Sequence, residues 1–263
     1  MIENSSGSNL SVVIITLNEE ARIAACLDSL PADAEIIVLD SGSTDRTVAI
    51  AQDKGARVEF RAFTNYGEQK NAAISLASRP WILSLDADET LTPELRVSIA
   101  SVTQGDSDAF VGYRLSRKLL FMGRKLRFGK SSDRPLRLFK RGHGQFRSAI
   151  HESLDLGSAP IGHLSGELLH YSYADLSDYF TRFNVYTSRI AENHSLRGKP
   201  QPPLLLHVLR PWVEFFSRYV LRLGFLDGYP GYTYALISSM YTYVKYAKLR
   251  ELAQSDTKRG LSR

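Results

Sequence analysis

Three short runs constrain this chain more than anything else in it: LSVVIIT at Leu10–Thr16, EIIVLD at Glu35–Asp40 and WILSL at Trp81–Leu85. Each is almost continuously apolar, rich in β-branched side chains, and closed by polar residues. A strand that is apolar on both faces must be covered on both faces, which is the condition of a parallel sheet between helices. The segments between them carry helical spacing. Glu20–Leu30 has Ile23, Cys26, Leu27 and Leu30 on one stripe and is stopped by Pro31. Thr44–Lys54 is a second predicted helix, with Ser43 or Thr44 as its N-cap and Gly55 beyond its end. Ala56–Arg61 reads as a short third strand and Tyr66–Ala77 as a third helix. This βαβαβαβ order predicts a parallel sheet with helices on both sides.

Beyond it the pattern changes twice. Residues 108–178 show short strand-like runs (Ala109–Leu115, Pro135–Phe139, Glu167–Tyr171) among Gly- and Arg-rich loops, which predicts mixed β-structure with loops over a site. Residues 179–263 read as helical: Asp178–His194, a break at Pro200, Pro202 and Pro203, then Leu204–Leu223 and Tyr232–Leu252, with Gly224, Gly228, Pro230 and Gly231 as the turn between the last two and a frayed end from Ser255. The expected division is a catalytic domain over 1–178 and a helical extension over 179–263.

Charge follows the same blocks. The net charge of +5 in 263 residues resolves into −9 over 1–113, +11 over 114–147, −5 over 148–178 and +8 over 179–263. The basic blocks call for an anionic partner. The 114–147 block lacks the aromatic interleaving of a single-strand nucleic-acid platform, so nucleic acid is not expected. A single cysteine, Cys26, excludes a disulfide framework and any multi-cysteine zinc site. No run approaches the ~18 apolar residues of a spanning helix, and the N-terminus lacks a basic n-region, so neither export nor membrane insertion is expected.

In open α/β sheets ligands bind beyond the carboxyl ends of the strands. Polar clusters fall there three times: Thr16–Glu19, Asp40–Asp45, and Asp86-Ala87-Asp88. Each alone is an ordinary cap; three at successive strand ends mark a site. Asp86 and Asp88 are two residues apart, on one side of an extended segment, and two carboxylates held together repel unless a cation joins them. Mg²⁺ or Mn²⁺ with a diphosphate would join them, and Glu89 adds a third charge. No GxxxxGK[ST] or GxGxxG motif is present, which disfavours a P-loop hydrolase and a nicotinamide-binding domain.

The runs SVVIITLNEE, EIIVLDSGSTDRTVAIAQDKGARV, GEQKNAAI and WILSLDADE together resemble the family 2 glycosyltransferases over roughly residues 10–175. SSDRPLRLFKRG, IHES, LLHYSY and the C-terminal GFLDGYPGYTYALISSMYTYVKYAKL resemble a narrower branch that includes lipopolysaccharide inner-core glucosyltransferases. The resemblance implies a GT-A fold with a mixed, mainly parallel sheet, and inverting transfer from a UDP-sugar. It implies that Thr16, Asn18, Glu19, Asp40, Ser41, Gly42 and Asp45 surround the base and ribose, that Lys70 lies near base and phosphates, and that Asp86 and Asp88 form the DxD metal motif, with Asp88 the direct ligand. It makes Glu152 the base that deprotonates the acceptor hydroxyl. From the residues alone, Glu152 is either that base or a surface turn residue. His170 is either a metal or phosphate ligand or a packed core group. Arg134 and Arg137 are either fork donors to a diphosphate or solvated arginines.

In 204–223, Arg210, Glu214, Arg218 and Arg222 fall at i+4 steps in an otherwise apolar helix. That pattern suits a helix lying in an anionic membrane surface, or one packing on the catalytic domain or on a second copy of the chain. The expected function is a hexosyltransferase, glucose its sugar, acting on a phosphorylated lipid A–core heptose at the inner face of the cytoplasmic membrane. A polyprenyl-phosphate transferase of the same fold, and a non-catalytic membrane-docking protein with a vestigial nucleotide site, are the alternatives.

Overall fold

The computed structural model describes residues 8–105, 109–147, 153–196 and 203–260, with side chains to 254. Two compact units emerge: residues 1–118 with 133–171, and residues 119–132 with 172–263. The division falls at 171/172, and a segment from the middle of the chain joins the C-terminal unit.

The first unit runs β1 (Leu10–Thr16), α1 (Ile23–Asp28), β2 (Glu35–Asp40), α2 (Thr47–Asp53), β3 (Arg57–Phe60), α3 (Tyr66–Ser75), β4 (Trp81–Asp86), β5 (Glu89–Leu91) and α4 (Pro93–Gln104). β6 (Gly112–Phe121) leads out through β7 (Arg124–Lys125) and back at β8 (Ser132–Asp133). β9 (Leu136–Lys140), β10 (Gln145–Arg147), β11 (Ser153–Asp155) and β12 (Ile161–His170) follow. The sheet order is β3-β2-β1-β4-β9-β6-β12-β5. β1 pairs in parallel with β2 and β4, and β2 with β3, whereas β9 runs antiparallel to β4.

Alternation along the parallel strands explains the double covering. Val12, Ile14, Val38, Leu83 and Leu85 point into one core with Leu95 and Ile99 of α4. Val13, Ile37, Leu39 and Ile82 point into the other with Ala73 of α3 and Phe139. All nine strand residues are almost fully buried, as strands apolar on both faces require.

The differences from the sequence reading have local causes. α2 begins at Thr47 rather than Thr44, because Ser43, Thr44 and Asp45 are spent on the neighbouring loop: Asn18 N–H donates to Ser43 Oγ at 2.8 Å, Thr44 N–H to Asn18 Oδ1 at 2.8 Å, and Glu20 N–H to Asp45 Oδ2 at 3.1 Å. α4 was not anticipated, although its signal is present: Thr92 caps it by accepting from Leu95 N at 3.3 Å, and Pro93 opens it. β12 is longer than expected and kinks at Gly166, whose φ is +89°. A Cβ there would stand 2.2 Å from the backbone N of Leu95. Gly166→Ala is therefore expected to destabilise the protein by at least about 2 kcal/mol, from left-handed strain plus displacement of α4. Urea unfolding of the variant measures it.

The second unit packs α5 (Leu176–Leu196), α6 (Leu204–Phe216) and α7 (Gly228–Gly260), with a π-helical turn at Ser217–Leu221 and a 3₁₀ turn at Gly224–Asp227. Pro230 and Gly231, read as part of a turn, lie in the first turn of α7 instead, where a missing N–H costs nothing. The helical backbone continues to Gly260, past the expected fraying point at Ser255. Leu119, Phe121 and Leu126 from the inserted segment form a core with Tyr179 and Ile237. Lys248 bridges α5 and α7, its ammonium donating to Asn184 O, Asn184 Oδ1, Thr187 Oγ1 and Ser188 Oγ at 2.7–3.0 Å. Among the described residues, no helix is long and apolar enough to cross a membrane.

Candidate active site

The parallel register sets the site. Asp40 pairs with Thr16 on one side and with Phe60 on the other, and Asp86 pairs with Ile15. The carboxyl edge therefore runs Phe60, Asp40, Thr16, Asp86 across four neighbouring strands. At about 4.8 Å per strand, Asp40 and Asp86 lie roughly 10 Å apart along it.

The first two clusters knit to each other. Asn18 sits at φ +54°, a left-handed position that asparagine tolerates. Asp40 is buried, and its carboxylate accepts from Gly42 N and Ser43 N, both at 2.8 Å, and from Ser43 Oγ at 2.5 Å. Its oxygens thus hold the loop that passes through Gly42, at φ +103°. Ser41 N–H donates to Thr16 O at 2.9 Å, and Ser41 Oγ accepts from the buried Gln69 at 3.1 Å. The Thr16 hydroxyl is buried without a hydrogen-bond partner among the described residues. Asp45 receives Thr47 N–H at 2.9 Å, and Glu19 pairs with Arg22 at 2.7 Å.

The third cluster is organised by ion pairs. Lys70, 1% exposed, reaches Asp86 Oδ1 at 2.9 Å, and Arg137, 5% exposed, reaches Asp86 Oδ2 at 2.7 Å. Burial alone would raise the Asp86 pKa; Arg137 and Lys70 outweigh it and hold that carboxyl well below the usual range. Glu89, wholly buried, is the hub. It accepts from Arg137 at 3.1 Å, from Arg117 at 2.9 Å and from the backbone N of Asp86 at 3.0 Å. Arg117 forks in turn onto both oxygens of Asp133, at 2.9 and 2.7 Å.

Asp86 and Asp88 part ways here. Asp86 is held by two protein cations, whereas Asp88 faces His170, with Nε2 3.4 Å from its Oδ2. Antiparallel pairing of β12 with β5 sets His170 opposite Glu89 and lets Tyr171 N–H donate to the Asp88 carbonyl at 2.8 Å. Burial pulls the His170 pKa down, but the hydrogen bond and charge of Asp88, together with Glu89, raise it above the ordinary imidazole value. Among the described residues no group of three or more His, Cys, Asp or Glu converges to hold a metal. Asp88 and His170 supply at most one carboxylate and one imidazole. That donor set fits a divalent ion completed by phosphate oxygens and water, not one held by protein alone.

Beside this network lies a pocket of about 260 Å³ lined by Asp86, Arg114, Arg117, Asp133, Arg137 and Phe146, with Pro135, Leu136, Ser153 and Leu154. It is below the ~300–1,000 Å³ of pockets that enclose a drug-sized ligand, a size suited to one sugar ring. Asn71 fixes its Phe146 wall, donating to Phe146 O at 2.9 Å and accepting from Phe146 N at 2.8 Å.

Arg137, for which solvation was the alternative, is a buried residue of β9, and its Nε has no hydrogen-bond partner among the described residues. Arg134 is exposed, and its backbone carbonyl accepts from Arg114 at 3.0 Å. Glu152, the predicted base, and His151 lie outside the described residues. Arg117, Gln69 and Asn71 were missed: a lone arginine in a strand and amides in a helix carry no signal until partners surround them.

The mixed, mainly parallel sheet with acidic residues at its carboxyl edge is a GT-A-class fold. The glycosyl transferase family 2 model matches residues 11–147, and the chain belongs to that family. It is 34% identical over 256 residues to an uncharacterized glycosyltransferase of Rickettsia felis, covering 92% of this chain and 89% of that protein. It is 31% identical to the lipopolysaccharide core biosynthesis glycosyltransferase LpsC of Rhizobium meliloti, covering 91% of each. Among solved structures, glucosyl-3-phosphoglycerate synthase from Mycobacterium tuberculosis, in complex with Mn²⁺, UDP-glucose and phosphoglyceric acid, aligns at 27% identity with a TM-score of 0.36. That alignment spans 43% of this chain and 44% of the synthase. The protein is a transferase enzyme, which sets aside the non-catalytic reading.

Proposed function

We propose that the protein is an inverting hexosyltransferase that moves a sugar, glucose first among candidates, from a UDP-sugar to a hydroxyl of a lipopolysaccharide inner-core heptose or a related glycolipid. The reaction would take place at the inner face of the cytoplasmic membrane. The observation that carries this is the separation of roles at the β4 end. Asp86 is held by Lys70 and Arg137, while Asp88 and His170 remain as a donor pair beside it. The relationship to LpsC supports the acceptor class.

Donor placement follows the edge. Phe60 is 72% exposed beside the Asp40 loop, and a Cβ on Gly42 would lie 3.6 Å from its ring. It offers a free face for a base to stack on. From there a nucleoside reaches toward Asp86 with its diphosphate beside Asp88, His170 and Lys70. Mn²⁺ or Mg²⁺, held by Asp88 and His170 with diphosphate oxygens, would neutralise the charge of the leaving group. The sugar lies toward the pocket walled by Arg117, Arg137 and Phe146.

In the transfer step the acceptor hydroxyl forms the new C–O bond at the anomeric carbon as the bond to the diphosphate breaks. The hydroxyl proton passes to a carboxylate, for which Glu152 is the candidate. One base suffices, because the diphosphate leaves without protonation; a hydrolase would need a second carboxyl acid.

The test is a panel of UDP-, GDP- and dTDP-sugars incubated with truncated core oligosaccharides and read by mass spectrometry. One added hexose from UDP-glucose, lost on chelation, is expected; full activity under chelation rejects the metal. Glu152→Gln should reduce turnover by about 10²–10⁴-fold, the usual weight of a general base. A mild effect would point to a polyprenyl phosphate acceptor, which needs no deprotonation.

A further inference from the structure

The charged row that begins in α6 is split: Glu214 and Arg218 pack inward, whereas Arg210 and Arg222 are exposed. His207 is buried and stacks on Tyr243 of α7, with ring centroids 4.6 Å apart. Arg210 donates to the Tyr246 hydroxyl at 2.5 Å. Arg218, 14% exposed, takes Glu214 at 2.6 Å, donates to Gly129 O at 3.1 Å and lies over the Tyr234 ring. Beside these cations the outer surface carries large apolar side chains: Trp212, Val213, Phe216, Leu221, Leu226 and Tyr229 are each more than half exposed. Soluble proteins rarely leave so large an apolar surface uncovered.

The inserted hairpin adds a basic rim to it. Asp227 accepts from Arg127 N at 3.0 Å and Phe128 N at 2.9 Å, and Gly129 N donates to Arg222 O at 3.0 Å. These bonds pin residues 127–129 to the turn that carries Leu221 and Leu226. Arg124, Arg127, Lys130 and Arg222 are exposed, and none pairs with a carboxylate among the described residues. Within residues 119–132 and 204–229, all of them described, the acids Glu214 and Asp227 are already used.

We propose that this surface of the C-terminal unit docks the enzyme on an anionic lipid bilayer, the apolar residues entering the head-group boundary and the hairpin cations meeting lipid phosphates. Two observations choose lipid over a second copy of the chain. Self-pairing across a two-fold axis would set a rim of one sign against itself. An outward apolar face with basic flanks and, among the described residues, no helix both long and apolar enough to span is the pattern of interfacial insertion. The hairpin, about a hundred residues away in sequence, is thus as much part of the docking surface as the helices.

Docking stands apart from the transfer chemistry, so it is tested by binding rather than activity. Full-length protein is co-sedimented with phosphatidylcholine vesicles with and without phosphatidylglycerol, at low and high salt, while UDP calorimetry on the same samples reports the donor site. Binding to the anionic vesicles, weakened by salt, is expected. Leu221→Ser with Leu226→Ser should weaken it by tenfold or more. Arg124→Gln with Arg127→Gln and Lys130→Gln should weaken it about a hundredfold on anionic vesicles and little on neutral ones, at about 1 kcal/mol per cation. UDP binding should survive in both, which also certifies folding. Equal binding to both vesicle types, or none, overturns the proposal; a dimer in sedimentation velocity that dissociates in Leu221→Ser, without vesicle binding, assigns the face to a second copy.

Discussion

Asp88→Asn is expected to lower kcat by at least about 10³-fold with UDP-sugar and Mn²⁺ saturating. The amide keeps the side chain's size and its contact with His170, 3.4 Å away, but removes the charge that would hold a divalent ion against the diphosphate. Losing an electrostatic group aimed at developing charge costs about 10²–10³ even for a single neutral donor, and a metal ligand carries more. Folding should be unaffected, since Asp88 is not among the partners of the buried arginines. Steady-state kinetics across a Mn²⁺ titration, with thermal melts as control, decides it. Turnover within tenfold of the wild type at any metal concentration would remove Asp88 from the metal site.

Glu89→Ala is expected to act on the fold first. Glu89 is fully buried and receives Arg117, Arg137 and the backbone N of Asp86. Truncation leaves two mostly buried guanidiniums short of counter-charge, and breaking a buried ionic network from one side costs about 3–5 kcal/mol. For a chain of this size that lowers Tm on the order of 10 °C. Glu89→Gln keeps shape and one acceptor and should lose about half as much. Asp133→Asn, at a side chain 55% exposed, should lose less than about 1 kcal/mol. Equal stability of Glu89→Ala and wild type would mean that Asp86 and Asp133 alone compensate the arginines.

The strands were legible because they are apolar on both faces, a pattern only a doubly covered sheet explains. Their polar ends were legible because a parallel sheet places every carboxyl end on one edge. α1 and α2 were shortened, and α4 passed over, for one reason: caps and loop contacts draw on the same Ser, Thr and Asp side chains, and one-dimensional spacing cannot assign them. The acid pair was read as two like charges that a divalent cation would join. What sequence could not supply was that protein cations satisfy one of them. Lys70 and Arg137 arrive at Asp86 from α3 and β9, so the geometry leaves Asp88 and His170 as the candidate donors.

The α6 stripe shows the same limit. An i+4 row of charges in an apolar helix announces amphipathicity, but its direction depends on what lies beneath. Here a backbone carbonyl at Gly129 and the Tyr234 ring draw Arg218 inward, while Arg210 and Arg222 stay exposed beside the outward apolar residues.

The sequence by itself determined the architecture, the edge where the site lies and the family, because these follow from local periodicity and from motifs at strand ends. Tertiary structure decided which carboxylate is neutralised by Lys70 and Arg137 and which faces His170, that Glu89 ties Arg117 and Arg137 together, and that a mid-chain hairpin joins the C-terminal helices. Charge is long-ranged and blind to chain order, so the partner of a buried ion is chosen by folding and is invisible to spacing.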